Sequence, residues 1–190
     1  MSRRIILASQ SPRRRELLTE AGYEFEVVPP GEHAECGLCS GETPPQLVAR
    51  LAMQKAADVV ARVDSGVVVA CDTVVECRGQ ILGKPADRDD ARRMLRLLRG
   101  QEHHVWSGLC VWPAPEGPPR VEVALTRLLM DRLDDDQIEE YLESEAWEGK
   151  AGAFGYQDRL GWVHVVEGSE SNVVGLPMEL LAAMLANQKH

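Results

Sequence analysis

Two rhythms of apolar and polar positions run along this chain, and they divide it into strands and helices. Continuous apolar runs at residues 5–8 and 66–71 predict strands covered on both faces. Residues 25–28 predict another, ended by Pro29-Pro30. Pro12, with Ser11 as N-cap, opens a helix whose apolar side begins at Leu17 and Leu18 and which Gly22 can close. Thr43 with Pro44-Pro45 opens a longer helix reaching about Val63, with Leu47, Val48, Leu51, Ala52 and Val59 on its apolar side. Residues 74–82 read as a hairpin turning near Arg78-Gly79. Residues 87–99 read as a helix with Ala91, Met94, Leu95 and Leu98 inside and Gly100 as its stop.

Residues 103–112 and 120–130 predict two strands around a proline-rich loop, and the alternation over 121–125 suits an exposed sheet face. Asp134 caps a helix carrying Ile138, Tyr141 and Leu142, whose acidic outer face reads as solvated surface. Residues 149–157 form a glycine-dense loop, 162–166 a strand, 168–177 a second loop, and Pro177 starts a last helix. Together these predict an α/β fold: a mixed, twisted sheet flanked by helices, with two lobes and a central cleft, built as a single domain over residues 1–190.

Composition narrows the function classes. Apolar content of 44% with 27% charged residues is that of a soluble globular protein, and no run approaches a membrane span. The start, Met-Ser-Arg-Arg before four apolar residues, is too short for a signal peptide, so a cytoplasmic location without membrane association is expected. A net charge of −9 argues against a nucleic-acid polymer as partner, but leaves room for a small anion held by a few local cations. Cys36, Cys39, Cys71, Cys77 and Cys110 are scattered and odd in number, which suggests reduced thiols. Cys36 and Cys39 form a CxxC pair in mid-loop, with His33 as a conceivable third zinc ligand. No second pair follows, which disfavours a structural zinc.

Three places carry candidate chemistry. Ser9 to Ser11 offer hydroxyls and backbone N–H groups at a helix start whose first turn holds Arg13, Arg14 and Arg15. Cations there oppose the helix dipole, and a phosphate would relieve the conflict; a solvated arginine face is the alternative. Lys55 falls on the apolar stripe of the long helix, seven, four and three residues after Val48, Leu51 and Ala52. Either its stem passes the edge of the core or it points into a cleft and meets an anion. Asp72 directly follows the strongest buried strand, where α/β folds bind ligands, or it simply caps a turn. Gly83-Lys84-Pro85 is not a Walker loop, since no glycine run precedes the lysine and no Ser or Thr follows it.

Six segments in order resemble the Maf family of nucleoside triphosphate pyrophosphatases, whose fold is inosine-triphosphatase-like. They are Leu-Ala-Ser-Gln-Ser-Pro-Arg-Arg at 7–14, Leu-Ala-Met-Gln-Lys-Ala at 51–56, Cys-Asp-Thr-Val-Val at 71–75, Gly-Lys-Pro at 83–85, Lys-Ala-Gly-Ala-Phe-Gly-Tyr-Gln at 150–157 and Ser-Asn-Val-Val-Gly-Leu-Pro at 171–177. The resemblance implies hydrolysis of a nucleoside triphosphate to monophosphate and diphosphate with a divalent cation, Mg²⁺ or Mn²⁺. It implies Asp72 as general base, with metal coordination as its other role, and Arg13, Arg14, Lys55 and Lys84 as triphosphate-binding cations. Ser9 matches a polar residue of the same loop. A family glutamate that helps hold the metal is matched by Glu35, with Glu32 as the alternative, because residues 31–36 depart from the usual acidic run. Arg13, Thr73 and Gln157 match the branch that acts on dTTP and UTP, and modified pyrimidine nucleotides are further candidate substrates. A 7-methyl-GTP pyrophosphatase is the alternative within the family, and a non-catalytic nucleotide-binding regulator of septum formation the alternative outside it. Family members are often dimers, so a homodimer is the expected assembly.

Overall fold

The computed structural model describes residues 4–31, 33–34, 41–158 and 160–187. Among the described residues there are seven strands: β1 (Ile5–Leu7), β2 (Phe25–Val27), β3 (Gly66–Cys77), β4 (Gln80–Leu82), β5 (Glu102–Ala114), β6 (Arg120–Met130) and β7 (Val163–Glu167). The helices are α1 (Pro12–Glu20), α2 (Pro44–Val60), α3 (Arg88–Leu98), α4 (Asp135–Glu143), α5 (Glu170–Val174) and α6 (Met178–Ala186). The sheet order is β2-β1-β3-β5-β6-β7, with β4 on β3. Strand β1 is parallel to β2 and β3, whereas β3–β4 and β6–β7 are antiparallel. The expected mixed α/β sheet flanked by helices is therefore present. No described helix is long and apolar enough to cross a membrane.

The chain forms two compact units. The first comprises Met1–Asp72, Ser107–Ala124 and Gly175–His190; the second comprises Thr73–Trp106 and Leu125–Val174. In the first unit, the side chains of β1 and β3 alternate between two cores. Ile5, Leu7, Val67, Val69 and Cys71 pack with Leu18 of α1 and with Leu181 and Met184 of α6. Ile6, Ala8, Val68 and Ala70 pack with Ala52, Ala56 and Val59 of α2. Both strand faces are covered, so both must be apolar, which explains the unbroken apolar runs. Helix α2 lies close against β5: a Cβ on Gly108 would stand 2.1 Å from the Val48 carbonyl oxygen.

In the second unit, the core joins Val75, Cys77 and Leu82 to Ala91, Met94, Leu95 and Leu98 of α3 and to Ile138, Tyr141 and Leu142 of α4. Along β6, Thr126, Leu128 and Met130 are buried while Leu129 is exposed, the alternation of a sheet covered on one side.

Four details differ from the sequence reading. Strand β3 does not stop at Cys71 but continues to Cys77, so Asp72 lies within the strand rather than at its carboxyl end. Residues 170–174 form a short helix inside the segment read as loop. The acidic face of α4 is ion-paired rather than merely solvated: Glu139 meets Arg88 and Arg92, and Asp135 meets Arg96 and Arg99. Ser11 occupies the N-cap of α1 with extended backbone but makes no side-chain cap bond.

Candidate active site

The turn between β1 and α1 is held by Ser9, which is almost fully buried. Its hydroxyl accepts the Ser11 N–H at 3.1 Å and an Arg14 Nη1–H at 3.2 Å. The Arg14 Nε–H donates to the Gly175 carbonyl at 2.7 Å, so its guanidinium joins the turn before α1 to the segment before α6. Arg13 is half-buried, whereas Arg15 is exposed. The first turn of α1 contains no acidic residue, so its positive end stands uncompensated by a carboxylate of its own.

Lys55 and Asp72 meet in the first unit. Lys55 is 8% exposed and Asp72 9%. The Lys55 Nζ donates to Asp72 Oδ1 at 2.5 Å. Lys55 comes from the buried stripe of α2, and Asp72 from β3, the strand on which α2 packs. The anion that Lys55 meets in the structure is the protein's own Asp72 carboxylate. Two charges withdrawn from water rarely stabilise more than apolar residues of the same size would, so such a pair is better explained by what it can do than by stability.

Thr73, Lys84 and Gln157 belong to the second unit. Thr73 follows Asp72 on β3 and is half-buried; Lys84 and Gln157 are exposed. Lys84 follows Gly83, whose carbonyl accepts the Gly152 N–H at 3.0 Å. Gly152 needs to be glycine twice over, since its φ is +69° and a Cβ would stand 2.9 Å from the Val75 side chain. Gln157 is the middle residue of a 3₁₀ turn, Tyr156–Asp158.

Two features escaped the sequence reading. Lys150 and Asp158 form an ion pair, with Nζ 2.7 Å from Oδ1 and 2.5 Å from Oδ2. Asn172 is fully buried, and its Nδ2 donates to the Val105 carbonyl at 3.2 Å and to the Thr126 hydroxyl at 3.0 Å. Neither pairing can be read from glycine- and serine-rich segments, because it depends on contacts between separate elements.

Glu35 and Glu32, the candidate metal carboxylates, lie outside the described residues, as do Cys36 and Cys39. Among the described residues there is no cluster of three or more His, Cys, Asp or Glu suited to a metal. Cys71, Cys77 and Cys110 are buried. Burial pushes the Cys110 thiol up to about 12 and also raises Cys77, which makes both poor nucleophiles.

The sequence model of the family described as "Maf-like protein" matches residues 4–188. The chain belongs to the Maf-like family. It is 58% identical to a Rhodopirellula baltica protein named "dTTP/UTP pyrophosphatase", over 96% of this chain and 81% of that one. It is 45% identical to a Geotalea uraniireducens protein of the same name, over 92% of this chain and 89% of that one. Among solved structures, the Staphylococcus aureus Ham1 protein matches with a TM-score of 0.56 at 11% identity, covering 98% of this chain and all of that one. A HAM1 protein from Coxiella burnetii matches with 0.53 at 15% identity, covering 98% and 100%. At such low identity the Ham1 likeness speaks for the fold, and the Maf-like membership rests on the sequence.

Proposed function

We propose that this Maf-like chain is a nucleoside triphosphate pyrophosphatase that hydrolyses dTTP and UTP to the monophosphate and diphosphate. The single observation that carries the reading is the Lys55–Asp72 pair at 2.5 Å in a buried position. In the proposed reaction a water attacks the α-phosphorus, the α–β anhydride bond breaks, and the water's proton passes to the Asp72 carboxylate. Lys55 fixes that carboxylate, and proton transfer to a positioned base contributes roughly 10²- to 10⁴-fold in rate.

A triphosphate carries about four negative charges, and Arg13, Arg14, Lys55 and Lys84 offset them, with Ser9 holding Arg14 in place. Thr73 and Gln157 face the base. A divalent cation suits the oxygen chemistry of Asp72, since Mg²⁺ is commonly bound by one or two carboxylates together with substrate phosphates. Asp72 and Glu35 are the residues assigned to hold it, and when bound it supplies further neutralisation of phosphate charge. The relatives' names support the choice of dTTP and UTP.

Pyrophosphate release from a panel of nucleoside triphosphates with Mg²⁺ or Mn²⁺ tests the reading. Release from dTTP and UTP is expected. Release from 7-methyl-GTP alone would overturn the substrate assignment, and no release from any nucleotide would overturn the enzyme.

A further inference from the structure

Gln157 is exposed, but its neighbours in the turn are tied down on both sides. Asp158 accepts both bonds from Lys150 Nζ, at 2.7 and 2.5 Å, and a third from the Tyr141 hydroxyl at 3.2 Å. Lys150 and Asp158 side chains are only 12% and 19% exposed. Tyr156, on the other side, donates its hydroxyl to Glu170 Oε1 at 2.9 Å. The turn itself is closed by the Asp158 N–H to the Gly155 carbonyl at 3.2 Å. Gly155 is shaped to the pair: a Cβ there would stand 2.4 Å from Lys150 Nζ and 2.5 Å from Asp158 Oδ2.

We infer that the Lys150–Asp158 ion pair, seated against Gly155 and Tyr141, is a positioning device that sets the direction of Gln157 and so the choice of base; the inference rests on the pyrophosphatase reading above. The chemistry makes position decisive. A uracil or thymine edge presents an N–H between two carbonyl oxygens, whereas a cytosine edge presents a bare nitrogen beside an amino group. A carboxamide carries both a donor and an acceptor, so it satisfies either edge according to how it is presented. Selectivity then requires a fixed backbone beneath it, and a small misplacement far from the reacting atoms costs discrimination. Lys150 and Asp158 are positioning residues: they act through Gln157 and not on the phosphates.

The test compares the wild type with Asp158→Asn and Lys150→Gln. The double variant, which leaves neither charge unpaired, serves where a single one fails to fold. Steady-state pyrophosphate release is measured with dTTP and dCTP. The expected result is a fall of about tenfold in the dTTP-to-dCTP ratio of kcat/KM, carried by KM, with kcat for dTTP within about threefold of wild type. A ratio unchanged in the folded variants overturns the inference, as does an equal loss of kcat on both nucleotides. A second arm needs no turnover: NMR relaxation of the Gln157 side-chain amide is expected to show greater motion in the variants. An unchanged amide overturns the inference even if the wild type releases no pyrophosphate, a result that would fall on the pyrophosphatase reading instead.

Discussion

Asp72 shows what one residue can and cannot disclose. Its type and its place after an apolar run were visible in the sequence, and so was the oddity of Lys55 on a buried stripe. That the two touch was not, because they are seventeen positions apart and on different elements. We expect Asp72→Asn, whose amide oxygen still accepts a hydrogen bond from Lys55 Nζ although the lysine's charge is no longer neutralised, to fold with reduced stability and to lower kcat by at least about 100-fold. Turnover near wild type would exclude Asp72 as base.

His103 provides an independent test at the same scale. It is fully buried beside Phe154, with rings 5.4 Å apart, its Nε2 without a partner among the described residues, and burial lowers its pKa from 6.5 to about 4. The unfolded chain therefore binds a proton that the folded chain refuses. His103 costs no stability above pH 6.5 and destabilises progressively as pH falls from 6.5 to 4, by roughly 3 kcal/mol in all. Denaturant melts of His103→Leu are expected to remove most of that slope; an identical slope in the variant would contradict the assignment.

At the level of elements, hydrophobic periodicity located every strand and all helices but α5, because packing in this chain follows local pattern closely. The unbroken runs of β1 and β3 predicted two covered faces, and α1, α6 and α2 cover them. Legibility stopped where long-range contact decides. Asp72 read as a strand terminus because a carboxylate breaks an apolar run, yet β4 pairs with β3 as far as Cys77 and keeps the strand going. The acidic face of α4 read as solvated because its arginine partners sit on α3 and at its C-cap, 36 to 51 positions away. Those arginines hold Glu139 down at about 2. The short helix α5 was hidden by glycine and serine around it.

Gly108 tests the packing of α2 directly. The Val48 carbonyl is backbone and cannot swing aside, so Gly108→Ala must push α2 away from β5, moving the helix that carries Lys55. A loss of at least about 2 kcal/mol in folding stability is expected, together with lower turnover. A variant as stable as wild type would mean that the close approach is relaxed in solution.

On the scale of the whole molecule, each of the two units has its own core, and the proposed site residues are divided between them: Ser9, Arg13, Arg14, Lys55 and Asp72 in one, Thr73, Lys84 and Gln157 in the other. The six matching segments, taken in order, identified the family from the sequence, and the match over residues 4–188 bears that out. Composition alone could not have done so, because a net charge of −9 masks local clusters of cations. Arg13 and Arg14 read as either site or surface, and the tie of Arg14 to Ser9 and Gly175 was not visible in the sequence, because Gly175 lies far along the chain.

The most direct test of the central claim is pyrophosphate release from dTTP, UTP, 7-methyl-GTP and the common nucleotides, run side by side with wild type and Asp72→Asn in Mg²⁺ or Mn²⁺. Release from dTTP and UTP that Asp72→Asn abolishes is the predicted result. Wild-type protein that releases no pyrophosphate from either, or an Asp72→Asn variant that releases it undiminished, would contradict the account.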